Sequence, residues 1–358
     1  MNDSRVVDVI GSGGNGVVPS TMQAIVLTGP HQAEIQSLPV PRVGAGNVLI
    51  RTAFVGLCGA DASFYDGSSV YLHTGRKSYP FVFGHEWSGL VVQTADDVGS
   101  VKPGQRVSGH NFITCEACAY CRSGHRSHCD NRSEMGILGD YPGAASEYFQ
   151  VPAKVLARLP DAVDSRMGAL LEPATTALHA VTRIAVCDND LVLVFGTGAM
   201  GLLVLQLAKS LGATVHVVGI DPAGLYLADK LGADQTFRPD QVVKDRYSAA
   251  VEASGATRAT TQAASALRAG GRLALIGMPH GPVDGLDTSD LVMKDTSIQA
   301  VLSGIEYWDR LIGLVARGAI QLDPLLDQVL PFEQVDHAFR LQLTPNRPRP
   351  KLLLQFSQ

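Results

Sequence analysis

Charge is scarce in this sequence and long apolar runs are missing. Of 358 residues 18% are charged, with 29 Lys and Arg against 34 Asp and Glu for a net of -5. The basic residues are scattered along the chain. Without a clustered positive face, neither nucleic acid nor an anionic membrane is an expected partner. No stretch approaches the roughly 18 consecutive apolar residues of a membrane span, and the N-terminus lacks a basic-then-apolar signal pattern. The expectation is a cytoplasmic protein. Cysteine is sparse too, at six residues. Four of the six crowd between positions 115 and 129, which is the pattern of a metal site in a reducing compartment and not of a disulfide framework.

Apolar side chains and glycine are abundant, at 46% hydrophobic with 37 glycines. That composition reads as a globular α/β enzyme, whose strand-to-helix turns consume glycine. A chain of 358 residues exceeds the size at which one hydrophobic core stops growing, so two domains are expected.

Three separated segments carry the residues of a metal centre. Gly84-His85-Glu86 closes an apolar run that starts at Phe81, Cys58 lies upstream in Leu57-Cys58-Gly59-Ala60-Asp61, and Glu172 lies downstream in Leu171-Glu172-Pro173. One thiolate, one imidazole and one carboxylate make a three-ligand set for a catalytic zinc with the fourth position open. A second set is local: Cys115, Cys118, Cys121 and Cys129 follow C-x2-C-x2-C-x7-C. Four thiolates from one loop close a tetrahedron around zinc and leave no position for chemistry. An iron-sulfur loop would want its fourth cysteine after three residues with proline behind it, whereas seven intervene here and Asp130 follows. Cys187 reads as a free thiol.

Along the chain, Gly11-Ser12-Gly13-Gly14-Asn15-Gly16 matches G-x-G-x-x-G, yet Val17-Val18-Pro19-Ser20 behind it has no helical period. A dinucleotide fingerprint must open a helix, so residues 1–21 read as a flexible extension. From Met22 to about Val151 short apolar runs separated by glycine and proline indicate a β-rich domain. The stretch from Asp61 to Tyr79 reads as a long polar loop carrying Tyr65, Tyr71, His73, Arg76 and Lys77, either a substrate rim or a solvated excursion. Leu191 to Phe195 is a buried strand; Gly196-Thr197-Gly198-Ala199-Met200-Gly201 follows at once and opens an apolar helix. This second motif has the strand and helix that the first lacks, and suits a pyrophosphate. A second strand from Thr214 ends at Asp221, twenty residues after Gly201, the distance at which an acid binds the adenosine ribose of NAD. Further strands are expected at 249–255, 271–277 and 298–302, a helix at 307–318, and a strand from Lys351 to Phe356 returning to the first domain.

Taken together these motifs resemble the zinc-dependent medium-chain dehydrogenase/reductase family, from Met22 onward. The resemblance implies a GroES-like, β-rich catalytic domain of residues 22–174 and 313–358, with a doubly wound Rossmann domain of residues 175–312 inserted in it and the active site in the intervening cleft. It implies two zinc ions per chain, with Cys58 and His85 holding the catalytic one. Glu172 stands in for the cysteine that classical alcohol dehydrogenases use as third ligand, as in the polyol and sugar branch, and the spelling Gly-His-Glu-Trp-Ser-Gly is similar to aminocyclitol dehydrogenases. Glu86 is implied beside the metal, and Asp61 as the group that orients His85. The substrate is then a polyol, sugar or aminocyclitol alcohol, the cofactor NAD with NADP not excluded, and the assembly a homodimer or homotetramer. No arginine in 222–230 offers a site for a 2'-phosphate, although Gly219 or Ile220 stands where the family's ribose acid usually does. Ala60 replaces the relay serine or threonine and Ser63 the relay histidine, which leaves Glu86, ordered water or a substrate hydroxyl to carry the proton. Two other readings fit the same motifs: an NADPH-dependent zinc reductase of a ketone or aldehyde, and a non-catalytic nucleotide-sensing zinc protein.

Overall fold

The computed structural model describes residues 18–279 and 281–356, so the first glycine-rich motif lies outside the described residues. The chain forms two compact units. One comprises Met1–Glu172, Gln328–Thr344 and Lys351–Gln358, the other Pro173–Asp327 and Pro345–Pro350. The strands in chain order are β1 (Thr21–Gly29), β2 (Gln32–Pro39), β3 (Asn47–Gly56), β4 (Phe81–Val82), β5 (Glu86–Thr94), β6 (Arg106–Gly109), β7 (Phe112–Ile113), β8 (Ser133–Glu134), β9 (Tyr148–Pro152) and β10 (Leu156–Arg158). They continue as β11 (Leu191–Phe195), β12 (Thr214–Val218), β13 (Gln235–Phe237), β14 (Tyr247–Glu252), β15 (Leu267–Leu275), β16 (Ser297–Ala300), β17 (Leu326–Pro331) and β18 (Lys351–Gln355).

The first unit is built on a sheet of order β10-β6-β5-β3-β18-β17, with β9 also paired to β3, and on the smaller sheet β2-β1-β4. In β3 the run Val48-Leu49-Ile50 is fully buried because the strand has a partner on each side. Trp87 on β5 is likewise sealed in, its ring meeting Phe149 edge-on at 4.9 Å. The antiparallel register sets Gly56 of β3 against Glu86 of β5 on one side and against Leu353 of β18 on the other. Three segments far apart in sequence thereby end side by side: Gly56 to Cys58, His85 to Glu86, and Lys351. The expected return of the C-terminal run to the first unit is met by β18.

The second unit is a six-stranded sheet of order β13-β12-β11-β14-β15-β16, parallel at every pairing. This is the doubly wound arrangement that binds a dinucleotide at the carboxyl end of its central strands. β11 is an unbroken apolar strand because helices cover both faces of such a sheet. Gly201 is obligatory in the helix Ala199–Ser210, since a Cβ there would collide with the Gly196 carbonyl.

One expectation is corrected. Asp61 to Tyr79 is not a loop throughout: a helix runs over Gly59–Asp66 and a short one over Val70–His73. The Cys58 amide donates to Asp61 Oδ2 at 3.0 Å, and Ser69 Oγ caps the second helix at Tyr71. Elements this short give no apolar period to read, so capping alone announces them. No helix among the described residues is long and apolar enough to cross a membrane.

Candidate active site

Cys58 follows the end of β3 and is the N-cap of the helix Gly59–Asp66, while His85 directly precedes β5. Gly84 between the apolar run and His85 has φ +98, and a side chain there would press on Val55 Cγ1 at 2.9 Å and the Ala145 amide at 3.1 Å. Gly56 is needed for a different reason. A Cβ on it would strike Glu86 Oε2, so the glycine clears the space in which the carboxylate turns inward.

The ligand atoms of Cys58, His85 and Glu86 all lie within 4.8 Å of one another. Zinc held at about 2.0 to 2.3 Å from each donor sets tetrahedral neighbours roughly 3.3 to 3.8 Å apart, so this donor set fits the ion in chemistry and is gathered closely enough to close on it with small side-chain shifts. Asp61, fully buried, accepts from the Cys58 amide with Oδ2 and places Oδ1 3.4 Å from His85 Nδ1. Burial opposes charge on His85, but the Asp61 carboxylate outweighs it and the Cys58 sulfur adds to the effect, raising the imidazole pKa well above its ordinary value. One carboxylate thus bonds to the cysteine loop and lies beside the histidine ring.

Glu86 is paired as well. Lys351 Nζ contacts its Oε2 and donates to the Leu57 carbonyl at 2.8 Å, with both charged side chains almost wholly buried. Burial opposes the lysine charge, Glu86 outweighs it, and the pKa of Lys351 rises. Sequence reasoning missed this residue. Its one signal was a lysine heading the fully apolar Leu352-Leu353-Leu354, where a charge has no reason to be buried unless a partner waits for it.

Glu172 stands in the first turn of the helix Leu171–Arg183. The group that converges within 4.8 Å contains Glu86 and not Glu172 among the described residues, so the carboxylate expected as third ligand is not the one in closest company with Cys58 and His85. Glu172 is nevertheless within electrostatic reach: burial pushes its carboxyl up to about 7 against the pull of His85, and the negative charge of Glu86 pushes the same way as burial. Glu134, also unforeseen, is buried and ion-paired with Arg132 at 2.9 Å; burial raises its pKa, and His85 and Tyr71 lie within its electrostatic range. Ser63 Oγ donates to the Ala60 carbonyl of its own helix at 2.8 Å, so its hydroxyl proton is already committed.

The four cysteines of the lobe come together. The sulfurs of Cys115, Cys118, Cys121 and Cys129 lie within 4.8 Å of one another, and Cys115 and Cys129 are 3.5 Å apart. The Ala117 and Cys118 amides hold the Cys115 thiol down to about 6, which prepares it to act as a thiolate ligand. Among the described residues all six cysteines are free of disulfides.

In the second unit Gly196, Thr197 and Gly198 join β11 to the helix that starts at Ala199 and includes Met200 and Gly201. The loop is tied down by the Gly196 amide bonding to Val218 O at 2.8 Å. Asp221, which the spacing assigned to the adenosine ribose, is the N-cap of the helix Pro222–Lys230, and its two oxygens accept from Ala223 and Gly224 at 3.1 Å each. At the end of β14, Glu252 accepts from the amides of Ser254 at 2.7 Å and Gly255 at 3.0 Å, an ordering of the sheet's carboxyl edge that no motif announced.

A closed four-thiolate site, an open cysteine-histidine-carboxylate site and a doubly wound dinucleotide domain define a zinc-dependent dehydrogenase. Residues 44–161 match the alcohol dehydrogenase GroES-like domain and residues 199–317 the zinc-binding dehydrogenase domain. The chain belongs to this zinc-dependent, medium-chain alcohol dehydrogenase family. It is 30% identical to the L-threonine 3-dehydrogenase of Anaeromyxobacter dehalogenans over 294 residues, covering 78% of this chain and 84% of that one. It is 27% identical to the sorbitol dehydrogenase of Bacillus subtilis over 339 residues, covering 91% and 95%. An alcohol dehydrogenase of Escherichia coli, solved with NADH, superposes with a TM-score of 0.86 at 26% identity, covering 94% and 100%.

Proposed function

We propose that this chain catalyses the reversible oxidation of a secondary alcohol to a ketone, with a nicotinamide dinucleotide as hydride acceptor and a polyol, sugar or aminocyclitol as substrate. The observation that carries the reading is the convergence of Cys58, His85 and Glu86 on one point in a buried site braced by Asp61 and Lys351. The sorbitol dehydrogenase among its relatives supports the polyol class. In this reading residues 22–174 and 313–358 carry the metal chemistry, residues 175–312 hold the cofactor, and residues 1–21 are an extension.

In this reading Cys58 and His85 would hold the catalytic zinc; Glu172, whose carboxyl feels the charge of His85 although it lies outside the group gathered within 4.8 Å, would be the third ligand, and Glu86 would stand beside the metal. Bound there, zinc supplies Lewis-acid polarisation that lowers the pKa of a hydroxyl. Asp61 fixes the histidine ring, which makes it a better donor. Lys351 holds the Glu86 carboxylate in place beside Cys58 and His85, and we assign Glu86 as the group that accepts the alcohol proton. Cys115, Cys118, Cys121 and Cys129 hold the second zinc and contribute folding energy. Gly196 to Gly201 present backbone amides and a helix N-terminus to the pyrophosphate. The edge strand β16 leaves one side of the parallel sheet without a partner among the described residues, with Val292 and Met293 exposed nearby, which supports a homodimer or homotetramer.

The test is a screen of polyols, aminocyclitols, amino alcohols and simple secondary alcohols with NAD and NADP, followed by absorbance of the reduced nicotinamide. Turnover on a polyhydroxylated secondary alcohol is expected. Turnover confined to primary alcohols, or none by protein carrying both zinc ions, would overturn the reading.

A further inference from the structure

The carboxyl ends of β11, β12 and β13 form one continuous edge in the second unit. Gly196 N bonds to Val218 O at 2.8 Å and Gly219 N to Phe237 O at 3.0 Å, so the glycine-rich loop, Gly219-Ile220 and Arg238 follow one another across the sheet. The contact is close enough that a Cβ on Gly219 would come within 2.6 Å of the Thr197 methyl. In a doubly wound domain the adenosine ribose is recognised at the end of the second strand, by an acid on the 2'-hydroxyl of NAD or by an arginine on the 2'-phosphate of NADP.

We propose that this edge is built for NADP(H), with Arg238 receiving the 2'-phosphate. The inference rests on the dehydrogenase reading above and specifies the cofactor of that same site. Two observations carry it. First, no acid stands at Gly219-Ile220, and the nearest one is committed to capping a helix. Ile220 is neutral and 72% exposed, and the first acid beyond it, Asp221, has both oxygens on the amides of Ala223 and Gly224. Second, a cation is present. Arg238 is the first residue after β13, and its Nη1 donates to the Ile220 carbonyl at 3.3 Å, which holds the guanidinium against the end of β12.

An exposed arginine at a strand end is ordinarily just solvated, and what sets Arg238 apart is this tether together with an unspent charge. Among the described residues it makes no ion pair with a carboxylate, its backbone amide is satisfied by Gln241 Oε1 at 2.8 Å, and one of the five donors of its guanidinium is on Ile220. The remaining fork matches phosphate geometry, and a phosphate monoester carries about -1.5 to -2 charge at neutral pH. The Asp221 carboxylate is partly offset by the helix terminus that it caps, so it does not cancel the attraction. A search of residues 222–230 for the arginine finds none because the cation comes from the neighbouring strand and not from the helix after β12.

The experiment is direct titration of the zinc-loaded full chain with NADPH and with NADH, read by nicotinamide fluorescence at fixed salt without substrate. NADPH should bind at least about tenfold more tightly than NADH, and Arg238→Ala should weaken NADPH by roughly 10- to 100-fold, as loss of charge-assisted hydrogen bonds does. NADH affinity should change less than about twofold in that variant. Ile220→Asp, at an exposed position that tolerates it, should shift preference towards NADH by adding the missing acid. Equal affinities in the unaltered protein, or an equal loss of both in Arg238→Ala, would overturn the cofactor inference and leave the dehydrogenase reading in place. Failure of both dinucleotides to bind would overturn both.

Discussion

At the scale of single residues the account turns on Glu86. Its carboxylate is buried, paired with Lys351 and gathered with Cys58 and His85, while Ala60 has no hydroxyl and Ser63 spends its proton on the Ala60 carbonyl. Glu86→Gln should therefore lower turnover by about 10²- to 10⁴-fold and alter its pH dependence, with zinc retained, whereas Ser63→Ala should cost far less. Normal turnover with an unchanged pH profile in Glu86→Gln would assign the proton to water or to the substrate. His110 offers a test of pH dependence at a residue outside both ligand sets. Burial, helped by the charge of Arg126, pushes its pKa down to about 4, against about 6.5 when unfolded. The neutral ring is accommodated by the fold, so this stability is complete above about pH 6.5 and is lost as pH falls through the folded value, on the order of 3 kcal/mol in all. Urea unfolding followed from pH 7.5 to 4.5 should show a shallower acid decline in His110→Gln than in the unaltered chain; parallel declines would mean that the ring is not held neutral. Cys58, His85 and Asp61 were legible in the sequence because motif spelling carries them. Lys351 and Glu134 were not, since each is meaningful only through a partner brought in by strand register, and no local pattern records register.

At the scale of elements, what was legible followed the strength of the local signal. The apolar runs at Leu191–Phe195 and Thr214–Val218 and the glycines after the first of them located two strands and their turn, because a parallel strand buried on both faces must be apolar throughout. The helices Gly59–Asp66 and Val70–His73 escaped notice because they are too short for a period. Asp221 shows a subtler limit: spacing found the right strand end but could not tell a carboxylate facing a ligand from one capping the next helix. The cysteine lobe is the opposite case, since all four ligands sit within one short segment and its spacing alone describes the site. Outside the short pair β7-β8 and a few helical turns this lobe has little regular structure, so the metal must supply its order. Cys115→Ser should accordingly lower the unfolding midpoint or the yield of assembled protein, while activity per correctly folded molecule changes much less. Fully folded Cys115→Ser protein with turnover as low as that of a Cys58 variant would contradict the division between a closed site and an open one.

At the scale of the whole molecule, the chain divides into two units, with Gln328–Thr344 and Lys351–Gln358 grouped with the first. The return matters chemically. β18 brings Lys351 to Glu86 across 265 residues of sequence, so the open site is complete only when the C-terminal strand has joined the sheet of the first unit. The central claim is that this unit holds two zinc ions with different duties, one in the cysteine lobe and one at Cys58 and His85. A non-catalytic nucleotide-binding protein would need the first alone. Metal analysis of the purified chain and of Cys58→Ala is the most direct test. Two zinc ions per chain are expected, falling to one in Cys58→Ala with the fold intact; one zinc per chain in the unaltered protein, retained in Cys58→Ala, would contradict the account.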